Sequence, residues 1–315
     1  MRLLTVAENA HIELTHTAVL YQNDANRRRD PTRTTKLRGR YTADMNDRFH
    51  ILKQLINTTL VDNDALRLSG ERPSVFVRQL VGSKARPANR FHFKTDAERV
   101  QAFMDWLRDA VDQEVLEVRG RDGNAITHDG WQEKYIREAY VRAVEAADAA
   151  MQRDGIEDLP DSGMGKLFTA PIHADALELL YTRSFEELRG ITEAMSQQIG
   201  RVLAEGLAKG LSNRDIAKNI VDRVDKIGMT RAKMLARTEI INVYAEGSLN
   251  RLEQMGIAEV TAVVEFASAD DDHVCATCSS LDGTVYTIAE ARGLIPVHPN
   301  CRCAWIPVLF PDDGE

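Results

Sequence analysis

The sequence predicts an α+β protein that is mainly α-helical, with long amphipathic helices and a small, zinc-stapled C-terminal module containing short strands. Three observations carry this. Apolar residues recur at helical spacing through most of the chain, capping residues and glycines punctuate the helices, and all four cysteines fall within twenty-nine positions near the end. At 315 residues, 43% hydrophobic and 28% charged, the chain has material for two or three domains. No apolar run approaches the span of a membrane helix, so no membrane partner is expected.

The first sixty residues read as helix, basic turn, helix. Arg27, Arg28, Arg29, Arg33, Lys36, Arg38 and Arg40 gather around Asp30-Pro31 and form the one basic cluster of note. They are candidates for contact with nucleic acid or an acidic protein surface; the plainer alternative is a solvated turn or arm. Phe49, Leu52, Ile56 and Leu60 follow at helical spacing. Residues 73–81 and 90–94 have the composition of paired strands. Thr95 and Glu98 form a capping box, opening a helix with Val100, Phe103, Leu107 and Val111 on one face. Another helix runs from Trp131 through Tyr135, Ala139, Ala143 and Ala150 to residue 155.

Residues 156–171, with Pro160, Gly163, Gly165 and Pro171, read as a linker. It separates an N-terminal helical assembly region, 1–155 with its basic arm near 27–40, from a long-helix region, 172–256, and an acidic Cys/His module, 257–315. The first long helix carries Leu177, Leu180, Phe185, Leu188, Ile191, Met195, Ile199 and Leu203 and stops at Gly210. Ser212 caps the next helix, which Gly228 is expected to close; Thr230 starts a third that runs to Gly256. At 100° per residue, Thr238 and Ile241 share a side with Ala245, Ser248 and Leu252, Arg237 sits on the flank, and Glu239 points away. Arg237 is then either a boundary residue in an ion pair or the group that docks this helix onto the C-terminal module. Alternation over residues 260–266 reads as a strand.

A zinc site needs four soft or borderline ligands, commonly a C-x2-C knuckle and a second close pair from further along. Cys275 and Cys278 make the first pair; His298 and Cys301, with Cys303 two positions on, offer the second. Five candidates stand for four places. We take Cys275, Cys278, His298 and Cys301, with Cys303 as the alternative ligand. The competing reading is two disulfides, which the expected reducing compartment disfavours: the first ten residues lose apolar character too soon for a secretory leader. A structural Zn2+ also explains how so short a module holds together.

Beyond residue 256 there are two basic residues, Arg292 and Arg302, against ten acidic ones, so the module carries the equivalent of the whole chain's net charge of −8. Gripping DNA needs clustered Lys and Arg, and this module lacks them.

The stretch from Arg237 to Gly256, the run from Asp270 through the C-x2-C to Tyr286, and H-P-N-C-R-C at 298–303 together resemble the Mu protein F-like domain of phage head morphogenesis proteins, also called minor head proteins. The likeness covers residues 172–306. Its marked positions fall on Arg237, Thr238, Glu239, Cys275, Cys278, Gly283, His298, Pro299, Cys301, Arg302 and Cys303. The resemblance implies a non-enzymatic structural protein of capsid assembly. It further implies a place in the virion, in the capsid interior or at the portal vertex, after a passage through the host cytoplasm. The portal protein, other head proteins and packaged DNA are the implied partners.

Two rival functions follow from the residues. A metal-dependent hydrolase or nuclease needs an open coordination position and a general base; His273, Asp270, Asp271, Asp272 and Asp282 are the spare groups near the cluster. A DNA-binding protein would act through the basic N-terminal segment, although the charge balance of residues 1–256 is near neutral.

Overall fold

The computed structural model describes residues 30–68, 95–117, 130–153, 170–255 and 263–308. Arg27, Arg28 and Arg29, the two strands expected at 73–81 and 90–94, and most of the linker lie outside the described residues. In chain order the elements are α1 (Thr35–Asn57), α2 (Asp96–Glu114), α3 (Glu133–Arg153), α4 (Pro171–Ala208), α5 (Asn213–Val224) and α6 (Thr230–Gln254). They continue with β1 (Val263–Ala267), α7 (Ala276–Leu281), β2 (Val285–Thr287), α8 (Ile288–Ala291) and β3 (Ala304–Val308). The fold class is as expected: long helices, then a small antiparallel sheet at the C-terminal end.

The chain divides into two compact units that are interleaved rather than successive. One comprises Met1–Lys36, Arg137–Leu177 and Arg237–Glu315; the other comprises Leu37–Ile136 and Glu178–Ala236.

In the second unit, Tyr41, Met45, Phe49, Leu52 and Ile56 form the buried stripe of α1. Thr95 accepts from the Glu98 N–H and Glu98 bonds back, so the capping box of α2 is complete. Tyr41 stacks on Tyr135 at 4.7 Å, and its hydroxyl reaches Gln132 at 2.8 Å. Ser212 caps α5 as expected. Gly228 does not close that helix: a π-helical turn, Asp225–Met229, carries the backbone into α6. The glycine serves packing instead, since a Cβ there would lie 3.1 Å from the Phe49 ring. Gly206 does the same for α4 and α5, where a Cβ would meet Ile216 at 2.8 Å.

The first unit is built around the C-terminal part of α6, which is buried at every position from Glu239 to Leu252 except Glu246. A helix enclosed all round has no face that points away. Glu239 is accordingly buried, contrary to the wheel drawn from sequence. Gly247 lets α3 approach closely, because a Cβ there would sit 2.9 Å from Ala143 Cβ. On another side lies the sheet, in order β2-β1-β3 and antiparallel throughout, with Phe266 opposite Trp305. The buried side chains of β1, Val264 and Phe266, pack with Ile241, Ala245, Leu249 and Leu252. Phe266 and Tyr286 both meet Trp305 edge-on, at 5.7 and 5.6 Å.

A polar chain crosses this apolar unit with every partner assigned by chemistry. The Asn250 amide donates to the Tyr140 hydroxyl at 3.0 Å, which therefore donates to His173 Nδ1 at 2.7 Å. His173 Nε2 donates to the Gln254 carbonyl at 2.9 Å, while buried Arg251 bonds Gln254 and Asp148, each at 2.6 Å.

Candidate metal centre

Five donor side chains meet where α7, the loop after α8 and the start of β3 converge. Their donor atoms form two triads, Cys275-Cys278-His298 and Cys278-Cys301-Cys303; within each, all lie within 4.8 Å of one another, and Cys278 belongs to both. The structure thus brings together all five residues expected from the sequence, and the four cysteines are free thiols.

Local chemistry places each one. Cys275 caps α7, its sulfur accepting the Cys278 N–H at 3.3 Å, which folds C-x2-C into a knuckle with both sulfurs on one side. Gly283, at φ +76°, turns the chain after α7 and donates its N–H to Phe266 at 2.9 Å, seating the knuckle on β1. Pro299 holds the imidazole of its neighbour: its carbonyl lies 2.8 Å from His298 Nδ1, which must carry the proton. That leaves the Nε2 lone pair facing Cys275 and Cys278, 3.2 Å from each sulfur. A ring fixed by a carbonyl on its far nitrogen is how protein metal ligands are oriented. Asn300, at φ +67°, reverses the chain so that Cys301 and Cys303 enter the core, where both are almost completely buried.

The electrostatics describe sulfurs crowded into an apolar interior. The Cys301 thiol is held down at about 5, chiefly because Cys303 hydrogen-bonds to it. Cys303 is pushed up by that bond and by burial, and Cys278 is pushed up to about 12 by burial and by the charge of Cys301. The backbone N–H of Cys278 lowers Cys275, and the Pro299 carbonyl raises His298. A divalent ion reverses these penalties, because each thiolate then faces two positive charges instead of a neighbouring negative one. The residues present therefore fit an ion of the zinc type, with three or four thiolates and one neutral imidazole on offer.

The acidic loop is already committed to protein contacts. Asp271 takes a two-pronged bond from Arg302, at 2.6 and 2.5 Å, which holds its carboxyl down at about 2. Asp282 accepts the Ser268 N–H at 2.6 Å. Neither triad draws on His273 or the aspartates at 270–272 and 282.

The sequence left two readings for Arg237, a boundary residue in an ion pair or the group that docks α6 onto this module. Arg237 is half-buried and, among the described residues, makes no hydrogen bond or ion pair with it. The link runs through its neighbour Thr238, which accepts the Asn300 N–H at 3.2 Å, and through Arg292. Arg292 reaches Glu246 at 3.1 Å, Asn250 at 2.8 Å and Glu253, while the Gly293 N–H bonds Glu246. A signal was present: Glu246, Asn250 and Glu253 recur at helical spacing, facing one of only two cations in an acidic segment.

The N-terminal basic cluster is not a uniform surface. Asp30 accepts the N–H and hydroxyl of Thr35, at 2.8 and 2.5 Å, so the chain enters α1 through an ordered turn. Arg33, Lys36 and Arg40 are exposed, but Arg38 is buried and unsuited to contact with a partner.

Residues 197–306 match the family model described as phage Mu protein F like protein, so the chain carries a Mu F-like domain there. An uncharacterized protein of Methanocaldococcus jannaschii is 31% identical over 119 residues, covering 38% of this chain. The match spans 18% of that protein's length. No solved structure matches the chain.

Proposed function

We propose that this chain is a minor head protein of phage head morphogenesis, and that a structural Zn2+ makes its C-terminal module a rigid docking piece. The carrying observation is the pair of donor triads sharing Cys278, packed in one apolar cluster with α6 and β1. The ion would be held by Cys275, Cys278, His298 and a sulfur from the C-R-C turn, Cys301 by preference with Cys303 as the alternative. Bound there, it supplies cross-linking between two turns that the chain's own short helices and strands hold weakly. Thr238, Arg292 and the Arg302-Asp271 pair then set the module on α6 and fix its loop.

The match of residues 197–306 supports head morphogenesis as the setting. Within that setting we place the chain inside the procapsid beside the portal, with a role in the packaging or ejection of DNA and no enzymatic activity. Metal analysis of the purified protein, together with capture of the portal protein of the same phage, tests this reading. The expected result is about one zinc per chain and portal capture that weakens when the ion is removed. A metal-free protein, or turnover of nucleic acid abolished by His273→Ala, speaks for one of the rival readings.

A further inference from the structure

In the second unit, cations without a hydrogen bond or ion pair among the described residues gather along one helical run, with Arg201 on α4 a further one. Across the described residues, Arg48, Lys53, Arg99, Arg108, Lys134, Arg189 and Lys209 of this unit are each paired with a carboxylate. Every Arg and Lys from Arg214 to Lys233 behaves otherwise: Arg214, Lys218, Lys226, Arg231 and Lys233 make no hydrogen bond or ion pair among the described residues, and Arg223 makes none either but lies near enough to Glu205 to help hold that carboxyl down. All are exposed except Arg231, which is half-buried. The same run holds three acids, of which Asp215 is bonded to the capping Ser212 and Asp225 to Lys53, leaving Asp222.

Packing turns the cations of α5 outward. Asn213, Ile216, Ala217, Ile220 and Val224 turn inward, so the polar positions of α5 share the solvent face. The π-helical turn keeps the backbone helical from α5 into α6, so the cations are spread over about 30 Å of helical run at 1.5 Å per residue. The close approach at Gly206 brings the end of α4 alongside, and Lys209, Arg223 and Lys226 line a common cleft of about 260 Å³ with Glu205 and Asp222.

We propose that this face of α5 and the start of α6 is a contact surface for the phosphate backbone of duplex DNA. An unpaired cation on a solvated helix has given up the ion pair that a nearby carboxylate would supply, and a row of them matches a polymer carrying one charge per about 1.7 Å. No aromatic or amide group stands among the cations on the exposed face except Asn219, so the surface grips phosphate without reading bases. The proposal rests on the reading that this chain works beside packaged DNA, and it is independent of the metal centre and of the portal.

The test uses the full chain and a fluorescent duplex of random sequence, with affinity measured over a range of salt. One variant combines Arg214→Gln, Lys218→Gln, Arg223→Gln and Lys226→Gln; a second combines Arg33→Gln, Lys36→Gln and Arg40→Gln. Each phosphate no longer neutralised by a side chain lowers the salt slope by about 0.9, so the first variant should lose about 2 to 4 from the slope and on the order of tenfold or more in low-salt affinity. The second variant should bind as the parent does. Circular dichroism and zinc content should match the parent in both. An unchanged slope in the first variant overturns the proposal, as does absence of DNA binding by the parent at low salt, or a loss confined to the second variant. Loss of portal capture with DNA binding intact assigns the face to a protein partner and equally overturns it. The head-protein reading fails separately, if the parent chain captures no portal protein.

Discussion

The hydroxyl of Thr238 on α6 accepts the backbone N–H of Asn300 at 3.2 Å, across 62 positions of chain. This bond holds the reversing residue of H-P-N-C-R-C, on which the placement of His298, Cys301 and Cys303 depends. Replacing Thr238 with Val keeps the shape and removes the acceptor. A loss of about 1 kcal/mol in unfolding free energy is expected, read by denaturant titration, with zinc content kept but released at lower chelator concentration. Identical chelator curves would remove Thr238 from this role.

Cys278 stands in both donor triads, whereas Cys301 and Cys303 share one. Cys278→Ser should abolish stoichiometric zinc binding. Cys301→Ser and Cys303→Ser should each retain it, the remaining sulfur taking the fourth position, and the double variant should lose it. Elemental analysis after dialysis against a weak chelator reads all four. Removing the ion from the parent should also loosen the cluster containing Trp305, seen as a weakened near-ultraviolet dichroism.

Arg292 binds three side chains of α6. Arg292→Ala should reduce stability by about 1 kcal/mol, with the deficit shrinking as salt is raised. Arg292→Lys should recover little, because a single ammonium cannot span the same three partners. Full recovery by lysine would show that charge alone matters.

Burial holds His173 below its ordinary value of 6.5, and the fold wants the ring neutral because Tyr140 donates to Nδ1. For a base depressed in the folded state, the stabilisation is complete above 6.5 and is lost as pH falls from there to the lower folded value. The unfolding midpoint should therefore drop across this window, and the drop should flatten in His173→Gln relative to the parent. Parallel pH profiles for the two proteins would contradict the assignment.

Gly247 faces Ala143 Cβ and the Tyr140 carbonyl, 2.9 and 3.2 Å from where a methyl group would sit. Gly247→Ala gains helix propensity yet should destabilise by about 1–3 kcal/mol, because α3 must shift. Thermal or denaturant unfolding decides the sign.

The helices were legible because their caps are local chemistry: Thr95 with Glu98, and Ser212, needed only their own neighbours. The donor set was legible because C-x2-C and H-P-N-C-R-C each fix a turn, and two such turns in one acidic segment have a common purpose. Glu239 and Gly228 depart from the expectation for separate reasons. A helix wheel supposes that one side meets water, and α6 is enclosed near Glu239, while Gly228 packs against Phe49 rather than ending a helix. Arg292 was overlooked because its partners lie 39 to 46 positions away. The cations between Arg214 and Lys233 are hard to see in the sequence because they are spaced along the chain, whereas the denser N-terminal run includes Arg38, which is buried.

The interleaving of the units has a consequence for synthesis. Residues Arg137–Leu177 emerge from the ribosome long before the strands that complete their unit, and α6 stays unsheathed until Trp305 and Val308 have followed. Non-local closure of this kind is slow and leaves greasy surface open to wrong partners. A nascent chain halted short of the C-R-C turn would thus be a client for chaperones, because the segment from β1 to β3 must follow before the helices of its unit are covered.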